Sequence, residues 1–504
     1  MNVLEEENNC MNNKKNVNRL GLIIIAVMYV ITFLPYFYSI YYAVPASDDF
    51  AMTLGRDNYS NAFNEFIKAI PFYWTKRGGG ILWFAIQILL NPLNLHVHLG
   101  HTYGLYMICN FMLYLFVYMY TMKTILEYHF NEDNKLYIYI IILLTFFMFL
   151  QNNYYVEVYN WYVGMNAYAL PLATAMCFIT FMIKYSSSGK RRHLLLMLMF
   201  GAVTSNAMAY CVLLGVSYIY IVVYKKGFDG YLTGRKKMMP LFLFIIIGFI
   251  TVFAPGNFSR QKQYVDNSVT LISILKYTFL DIIYSAYTMV RYRPWTLIVG
   301  AIVVYISFVY GKKTQKCLKN MVVFGLCALL ACFGCVFPYV YGRSMQQIYM
   351  DVRMQFYVDI LVELSFALIC VMFGELLYLL ARNEGKRKNV KRILVLLIGL
   401  LFFSSLATGN MKTSVTIDLL QKSDDIAKSY RFWDGILKEI ESSKDEDVVI
   451  YRNENVVWNK YFLYSGIEPG EKYAIPLDVF YDANQILPNV YYKKKSLVVN
   501  YPRL

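Results

Sequence analysis

Charge is what this sequence has least of: Asp, Glu, Lys and Arg together make up 16% of its 504 residues, against about a quarter in a water-soluble chain. That deficit excludes an ordinary soluble globular enzyme. Histidine is scarcer still, with five copies, and the three that cluster, His96, His98 and His101, fit neither HExxH nor its inverse. A membrane zinc protease is set aside on that spacing. No GxxxxGK[ST] occurs, so ATP-driven chemistry lacks its phosphate loop. Of nine cysteines, Cys109, Cys177, Cys211, Cys327, Cys332, Cys335 and Cys370 lie in or beside apolar runs, and Cys10 and Cys317 lie in basic flanks. No pair reads as an external disulfide and no quartet as a metal site. Heptads, low-complexity tracts and a solenoid period are also missing.

What is present is apolar and aromatic. Hydrophobic residues make up 58% and aromatics 17%, with 47 tyrosines, and the mean hydropathy is +0.40. The apolar residues fall in repeated runs, each near the length that crosses a hydrocarbon layer of ~30 Å. The expected class is mainly α, a polytopic transmembrane helical bundle. Its formal charge of +15, from 48 basic and 33 acidic residues, could suggest nucleic acid. The basic residues sit in short loops between apolar runs, however, so they report topology and no nucleic-acid partner is expected.

The first run, Leu20 to Tyr42, is too long for a signal-peptide core of about 7 to 15 residues and reads as a retained helix behind a cytoplasmic N-terminus, residues 1–19. Further crossings are expected near 103–124, 136–151, 168–184, 193–207, 208–224, 239–254, 294–311, 320–341, 357–380 and 393–408. That makes about eleven helices. The basic groups around Arg191, Lys236, Lys313 and Arg387 then all fall on the N-terminal side of the membrane, as the positive-inside rule requires. Stretches 81–95 and 270–290 are placed in the interface, because counting either alone as a crossing breaks that pattern. The outside receives the loop 43–102, shorter loops at 152–167, 255–270 and 342–356, and a tail. Three parts result: 1–19, a transmembrane module 20–408, and a small extracytoplasmic α/β domain, 409–504, with a helix over 417–440 and strands at VVIYR and SLVVNY.

Candidate chemistry collects on the outer side. Asp48 and Asp49 follow the first helix directly; adjacent acids raise one another's pKa and suit a general base or a divalent-cation ligand. The plainer alternative is a helix N-cap by Ser47 or Asp48. Tyr73, Trp74, Lys76 and Arg77 precede a Gly run, a setting for a phosphate and a stacked sugar or for interfacial snorkelling. Glu157, Asn160, Trp161, Asn166 and Tyr168 mix aromatics with amides and an acid, which suits a carbohydrate or an aromatic belt. Asn257, Arg260 and Lys262 follow a Pro-Gly turn, and an anionic headgroup could dock there. Arg343 and Arg353 flank a later loop and are the expected partners of Asp359 and Glu363.

The order of these features resembles the GT-C superfamily of polytopic glycosyltransferases. One long helix leads into an external loop opening Asp48-Asp49-Phe50, followed by Tyr73-Trp74 to Arg77, by Asn160 to Tyr168 and by Ala254-Pro255-Gly256-Asn257, a pattern similar to a bacterial branch of that group. The resemblance spans roughly 20–410 in topology and is specific at these short stretches. It implies a GT-C-like module that transfers a sugar from a polyprenyl-phosphate donor to a cell-envelope glycan or glycolipid acceptor on the outer face of a bacterial plasma membrane, with inversion. By the same resemblance Asp48 or Asp49 is base or metal ligand. The donor phosphate falls to Lys76, Arg77, Arg260, Lys262 and Arg343, and the sugar or acceptor to Tyr73, Trp74, Glu157, Asn160, Trp161, Asn166, Tyr168 and Asn257. A divalent cation, Mg or Mn, is the possible cofactor. The chain departs from the family in its small C-terminal domain and in offering no second acid that aligns. The rival is a transporter or flippase of a lipid-linked saccharide, which predicts polar groups at mid-membrane depth. A non-catalytic sensor whose tail binds glycans ranks third and leaves Asp48-Asp49 as a cap.

Overall fold

The computed structural model describes residues 2–46, 48–53, 70–78, 80–130, 135–151, 155–204, 253–264, 269–310, 317–345, 352–408, 414–464, 466–474 and 491–502, with isolated positions between them. These are mostly helical: α1 (Asn2–Tyr41), α2 (Asp48–Ala51), α3 (Ile81–Leu89), α4 (His101–Phe130), α5 (Lys135–Leu150), α6 (Tyr155–Tyr159), α7 (Tyr162–Ser188), α8 (Arg191–Thr204), α9 (Pro255–Tyr264), α10 (Leu271–Tyr292), α11 (Trp295–Tyr310), α12 (Cys317–Gly342), α13 (Val352–Leu380) and α14 (Glu384–Ala407). A C-terminal unit follows, with α15 (Val415–Gln421), α16 (Ser423–Ser442), β1 (Asp447–Tyr451), β2 (Lys472–Ala474) and β3 (Ser496–Asn500).

This is a helical membrane protein. Among the described residues, α4, α7, α12, α13, α14 and the Leu20–Tyr41 part of α1 are long and apolar enough to cross a bilayer, and the bent pair α10–α11 adds a seventh span if counted as one. Their outward faces are greasy: Val30, Ile31 and Leu34 on α1 and Leu396, Leu400 and Phe403 on α14 are all exposed, as lipid-facing positions must be. Of the eleven expected crossings, 208–224 lies outside the described residues and 239–254 is described only at scattered positions. Those at 136–151 and 193–207 correspond to α5, of 16 residues, and α8, of 14.

Two packing groups form the bundle. α1, α4, α5, α7 and α8 make one, α10 to α14 the other, and α5 joins them by packing on α11 and α13. Gly104 lets α4 start against the end of α1: a Cβ there would lie 2.1 Å from the Tyr41 carbonyl oxygen. The stretch 81–95 yields only the nine-residue α3, about 13 Å long and too short to cross. At Arg293-Pro294 the chain bends by 89°, so α10 runs nearly perpendicular to α11, the relation an interfacial helix has to a crossing one. Proline at the break explains the bend, since it cannot continue the hydrogen-bonded ladder.

The C-terminal unit is a small α/β structure with strand order β1-β3-β2. β1 and β3 are parallel, with Asp447 opposite Ser496, and β2 is antiparallel to β3. The expected helix over 417–440 is two helices broken at Lys422. α16 buries one stripe, including Trp433, Ile436 and Ile440, against this sheet and the chain around Tyr501. The unit sits at the C-terminal end of α1 and the N-terminal end of α4. Ser39 accepts from Tyr155 Oη and Asn160 Nδ2, both 2.9 Å, and donates to the Tyr461 carbonyl; the Gly100 amide donates to Asp434 Oδ1 at 2.8 Å.

Candidate functional site

Asp49 is the centre of a knot. Its side chain is fully buried, and three donors converge on it. Oδ2 accepts from the Ala46 amide at 3.1 Å and from Tyr103 Oη at 2.7 Å, while Oδ1 accepts from the Val163 amide at 3.0 Å. Tyr103 Oη in turn accepts from the Tyr162 amide, and Asn91 Nδ2 donates to the Asp49 carbonyl at 3.0 Å. Trp161 Nε1 closes the knot on the Ala46 carbonyl at 3.2 Å. Three stretches of chain, at Ala46, Tyr103 and Val163, are thus tied to one carboxylate. Burial pushes its carboxyl up to about 7, against the three hydrogen bonds that favour the ionised form.

Asp48, the other acid, begins α2 and is half-buried. At this turn the Asp49 side chain also reaches back to the Ala46 amide; Ser47, one of the two expected caps, lies outside the described residues. Phe50 leaves the same turn toward the C-terminal unit and meets Tyr491 and Tyr492 with ring centroids 6.0 and 6.1 Å away. The acidic turn is therefore enclosed on one side by α4 and α7 and on the other by the C-terminal unit.

α3 connects this knot to a second cluster. Tyr162 Oη donates to the Ile86 carbonyl at 3.1 Å, and two residues earlier Phe84 stacks on Tyr73 with centroids 3.9 Å apart. Tyr73 opens a π-helical turn, Tyr73–Arg77, that packs against α9. Ser259 Oγ donates to the Thr75 carbonyl at 3.2 Å. Gly78 has φ +121°, and a Cβ there would lie 2.8 Å from Asn257 Oδ1, so both conformation and space require glycine. Arg343 reaches the other end of α9, its guanidinium 5.3 Å from the Tyr264 ring and 4.9 Å from the Tyr339 ring. Three basic motifs far apart in sequence meet here. Lys76, Arg260 and Lys262 are exposed and Arg343 is half-buried, an arrangement suited to an anion. Tyr73 is buried, Trp74 half-buried and Asn257 exposed; the backbone of Arg77 belongs to the turn, and its side chain lies outside the described residues.

The chain matches no family model, no curated protein and no solved structure. Its chemistry has to be argued from its own residues.

The segment expected as an external sugar-binding loop, 152–167, is different in structure. From Tyr155 onward it is helical, forming α6 and the first turns of α7, including a π-helical turn Met165–Ala169. Asn160, Trp161 and Asn166 are buried; Asn160 donates to Ser39 and Asn166 to the Tyr162 carbonyl. Tyr168 is half-buried 5.6 Å from Tyr357, and Glu157 is half-buried on α6. Aromatic packing is the reason: Tyr159 contacts Phe111, Tyr114 and Phe356, drawing the segment into the bundle. Of these residues Trp161 holds the acidic turn, through the Ala46 carbonyl, and Asn160, Trp161 and Asn166 are buried in the packing rather than lining an open surface.

A second correction concerns Asp359 and Glu363. Both are buried on α13, and Arg293, at the α10–α11 bend, pairs with them; the side chain of Arg353 lies outside the described residues. Arg293 Nη2 lies 2.8 Å from Asp359 Oδ2, Nη1 contacts Glu363 Oε1, and Ser285 Oγ donates to Asp359. The signal was in the sequence: an Arg-Pro at the end of an apolar run, with two acids that need a cation at membrane depth. Tyr103 and Asn91 were not foreseeable from spacing, because nothing in their local sequence distinguishes them. The histidines part company as well. His98 Nδ1 is 3.3 Å from Tyr491 Oη and Nε2 is 3.7 Å from Glu441, while His101 stacks between Tyr41 and Tyr430, at 4.1 and 4.6 Å. They seat the C-terminal unit. Among the described residues no three His, Cys, Asp or Glu converge as a metal site, so a divalent cation finds no protein-built cage there.

Proposed function

We propose that the protein is an integral membrane glycosyltransferase that takes a sugar from a polyprenyl-phosphate donor and delivers it to a cell-envelope glycan or glycolipid. In this reading the transmembrane helices number about eleven, the N-terminus is cytoplasmic, and the acidic turn and C-terminal unit face the outside of a bacterial plasma membrane. The observation that carries it is the placement of the Lys76 turn and Arg343 against α9, which carries Arg260, joined through α3 to the Asp48–Asp49 turn.

The chemistry follows from those two clusters. The cationic cluster binds the donor phosphate and stabilises the negative charge that grows on its oxygen as the sugar–oxygen bond breaks. The anomeric carbon gains oxocarbenium character, and the acceptor hydroxyl attacks from the opposite face while Asp48 takes its proton. Asp49, spent on three internal donors, positions Asp48. The products are an inverted glycoside and a polyprenyl phosphate.

The test is transfer in proteoliposomes from a panel of radiolabelled polyprenyl-phosphate sugars, comparing wild type with Asp48→Asn. Transfer that Asp48→Asn abolishes supports the reading; transfer undiminished in a folded Asp48→Asn protein removes its central step. A second reading, a flippase for a lipid-linked saccharide, draws on the buried Asp359, Glu363 and Glu375 within α13. Labelled lipid crossing the bilayer without any transfer would favour it.

A further inference from the structure

The C-terminal unit carries a cleft of its own. It opens at the carboxyl ends of the parallel pair β1 and β3, has a volume of about 400 Å³ and is lined by Tyr451, Arg452, Pro469, Gly470, Asn500 and Tyr501, with Pro502 at its edge. That volume lies within the range of roughly 300–1,000 Å³ that small-ligand sites occupy, and the carboxyl ends of parallel strands are where α/β sheets gather ligands. The cleft is remote in sequence from the acidic turn and the cationic cluster, and neither uses it.

Its floor is rigid. The Arg452 amide donates to the Asn500 carbonyl at 2.8 Å, and the Gly470 amide donates to the Val499 carbonyl at 2.9 Å, with Gly470 at φ +75°. Above that floor Tyr451 is 72% exposed, next to Val449, which is 52% exposed on the same uncovered face of β1. A large aromatic left this open on a folded unit is an unfilled contact surface. Arg452 and Asn500, whose side chains carry planar hydrogen-bonding groups, line the cleft beside it, together with Pro469 and Pro502.

We infer that this cleft is a saccharide site that takes a neutral sugar chain. An aromatic face beside planar donors and acceptors matches a pyranose ring, whose C–H face packs on the aromatic and whose hydroxyls pair with guanidinium and amide. The charge class follows from the arginine's partner. Arg452 Nη2 already donates to Glu439 at 2.7 Å, so the guanidinium brings donors to the cleft with its charge balanced, and an anionic sugar gains no net attraction there.

The full-length protein in nanodiscs is examined by saturation-transfer-difference NMR with three trisaccharide probes: maltotriose, N-acetylchitotriose and trigalacturonate. The readout is binding, so it is independent of transfer at Asp48. One or both neutral probes should bind. Tyr451→Ala and Asn500→Ala should weaken that binding at least tenfold, and Tyr451→Trp, which keeps the aromatic platform, should retain it, all with unchanged thermal midpoints. No binding by any probe, or equal binding by wild type and Tyr451→Ala, overturns the site. Binding of trigalacturonate alone overturns the neutral class.

Discussion

At the scale of single residues, two adjacent carboxylates of identical chemistry have been given opposite surroundings. Asp48 is half-buried at the start of α2, whereas Asp49 is enclosed by Ala46, Tyr103 and Val163. Their amide variants should therefore fail differently. Asp48→Asn should fold with an unchanged thermal midpoint and lose transfer by about 10²–10⁴-fold, the span of a lost general base. Asp49→Asn puts an amide nitrogen where backbone donors point and should cost about 1–3 kcal/mol of stability, read as a lowered thermal midpoint. The pH dependence follows from the carboxyl that burial raises to about 7. Between about pH 4, where a free Asp ionises, and pH 7, the unfolded chain has released this proton and the folded one holds it. Wild type should thus lose stability relative to Asp49→Asn as pH rises through that window and level off above it. A flat difference would contradict it.

At the scale of elements, the decisive joints are close approaches and one buried ion cluster. Gly104 lets α4 touch the last turn of α1, and Gly104→Val should drive the helices apart at a cost of about 1–3 kcal/mol, visible in the thermal midpoint in detergent. The α10–α11 bend is held to α13 by Arg293 between Asp359 and Glu363. Arg293→Met alone strands two buried acids and should destabilise by about 3–5 kcal/mol. The triple variant with Asp359→Asn and Glu363→Gln should recover much of that loss, because no uncompensated charge remains. Recovery absent from the triple variant would show that the arginine acts through packing instead. Helix existence was legible from apolar runs, and the setting apart of 270–290 from the crossing at 294–311 was legible from the alternation of basic loops; the 89° bend has its physical cause in Pro294. What escaped was the helical part of 152–167: an aromatic segment rich in polar residues reads as an exposed loop, and the rings of Phe111, Tyr114 and Phe356 packed on Tyr159 draw it into the bundle.

At the scale of the whole molecule, the acidic turn is completed by a domain more than 400 residues further along the chain. Tyr491 Oη donates to the Leu93 carbonyl at 2.9 Å, Phe50 lies beside Tyr491 and Tyr492, and His101 stacks on Tyr430. If the proposed orientation holds, a cysteine replacing exposed Glu454 should react with an impermeant maleimide on intact cells. One replacing Lys388 at the start of α14 should react only after permeabilisation. Labelling of both, or of Lys388→Cys alone, would reverse the topology.

The sequence by itself determined that this is a helical membrane protein, where most of its helices run, and that cations and acids collect in the loops, because a hydrocarbon solvent punishes charge and unpaired backbone at every position locally. It also supplied β1 and β3, though not their parallel pairing. Tertiary structure alone decided which segments meet: that the Lys76 turn and Arg343 both pack on α9, that Arg293 serves Asp359 and Glu363, and that Asp49 is fully buried while its neighbour Asp48 is half-buried. Those are contacts between segments separated by tens to hundreds of residues, and they depend on the shapes of packed helices, which no local pattern of residue types records.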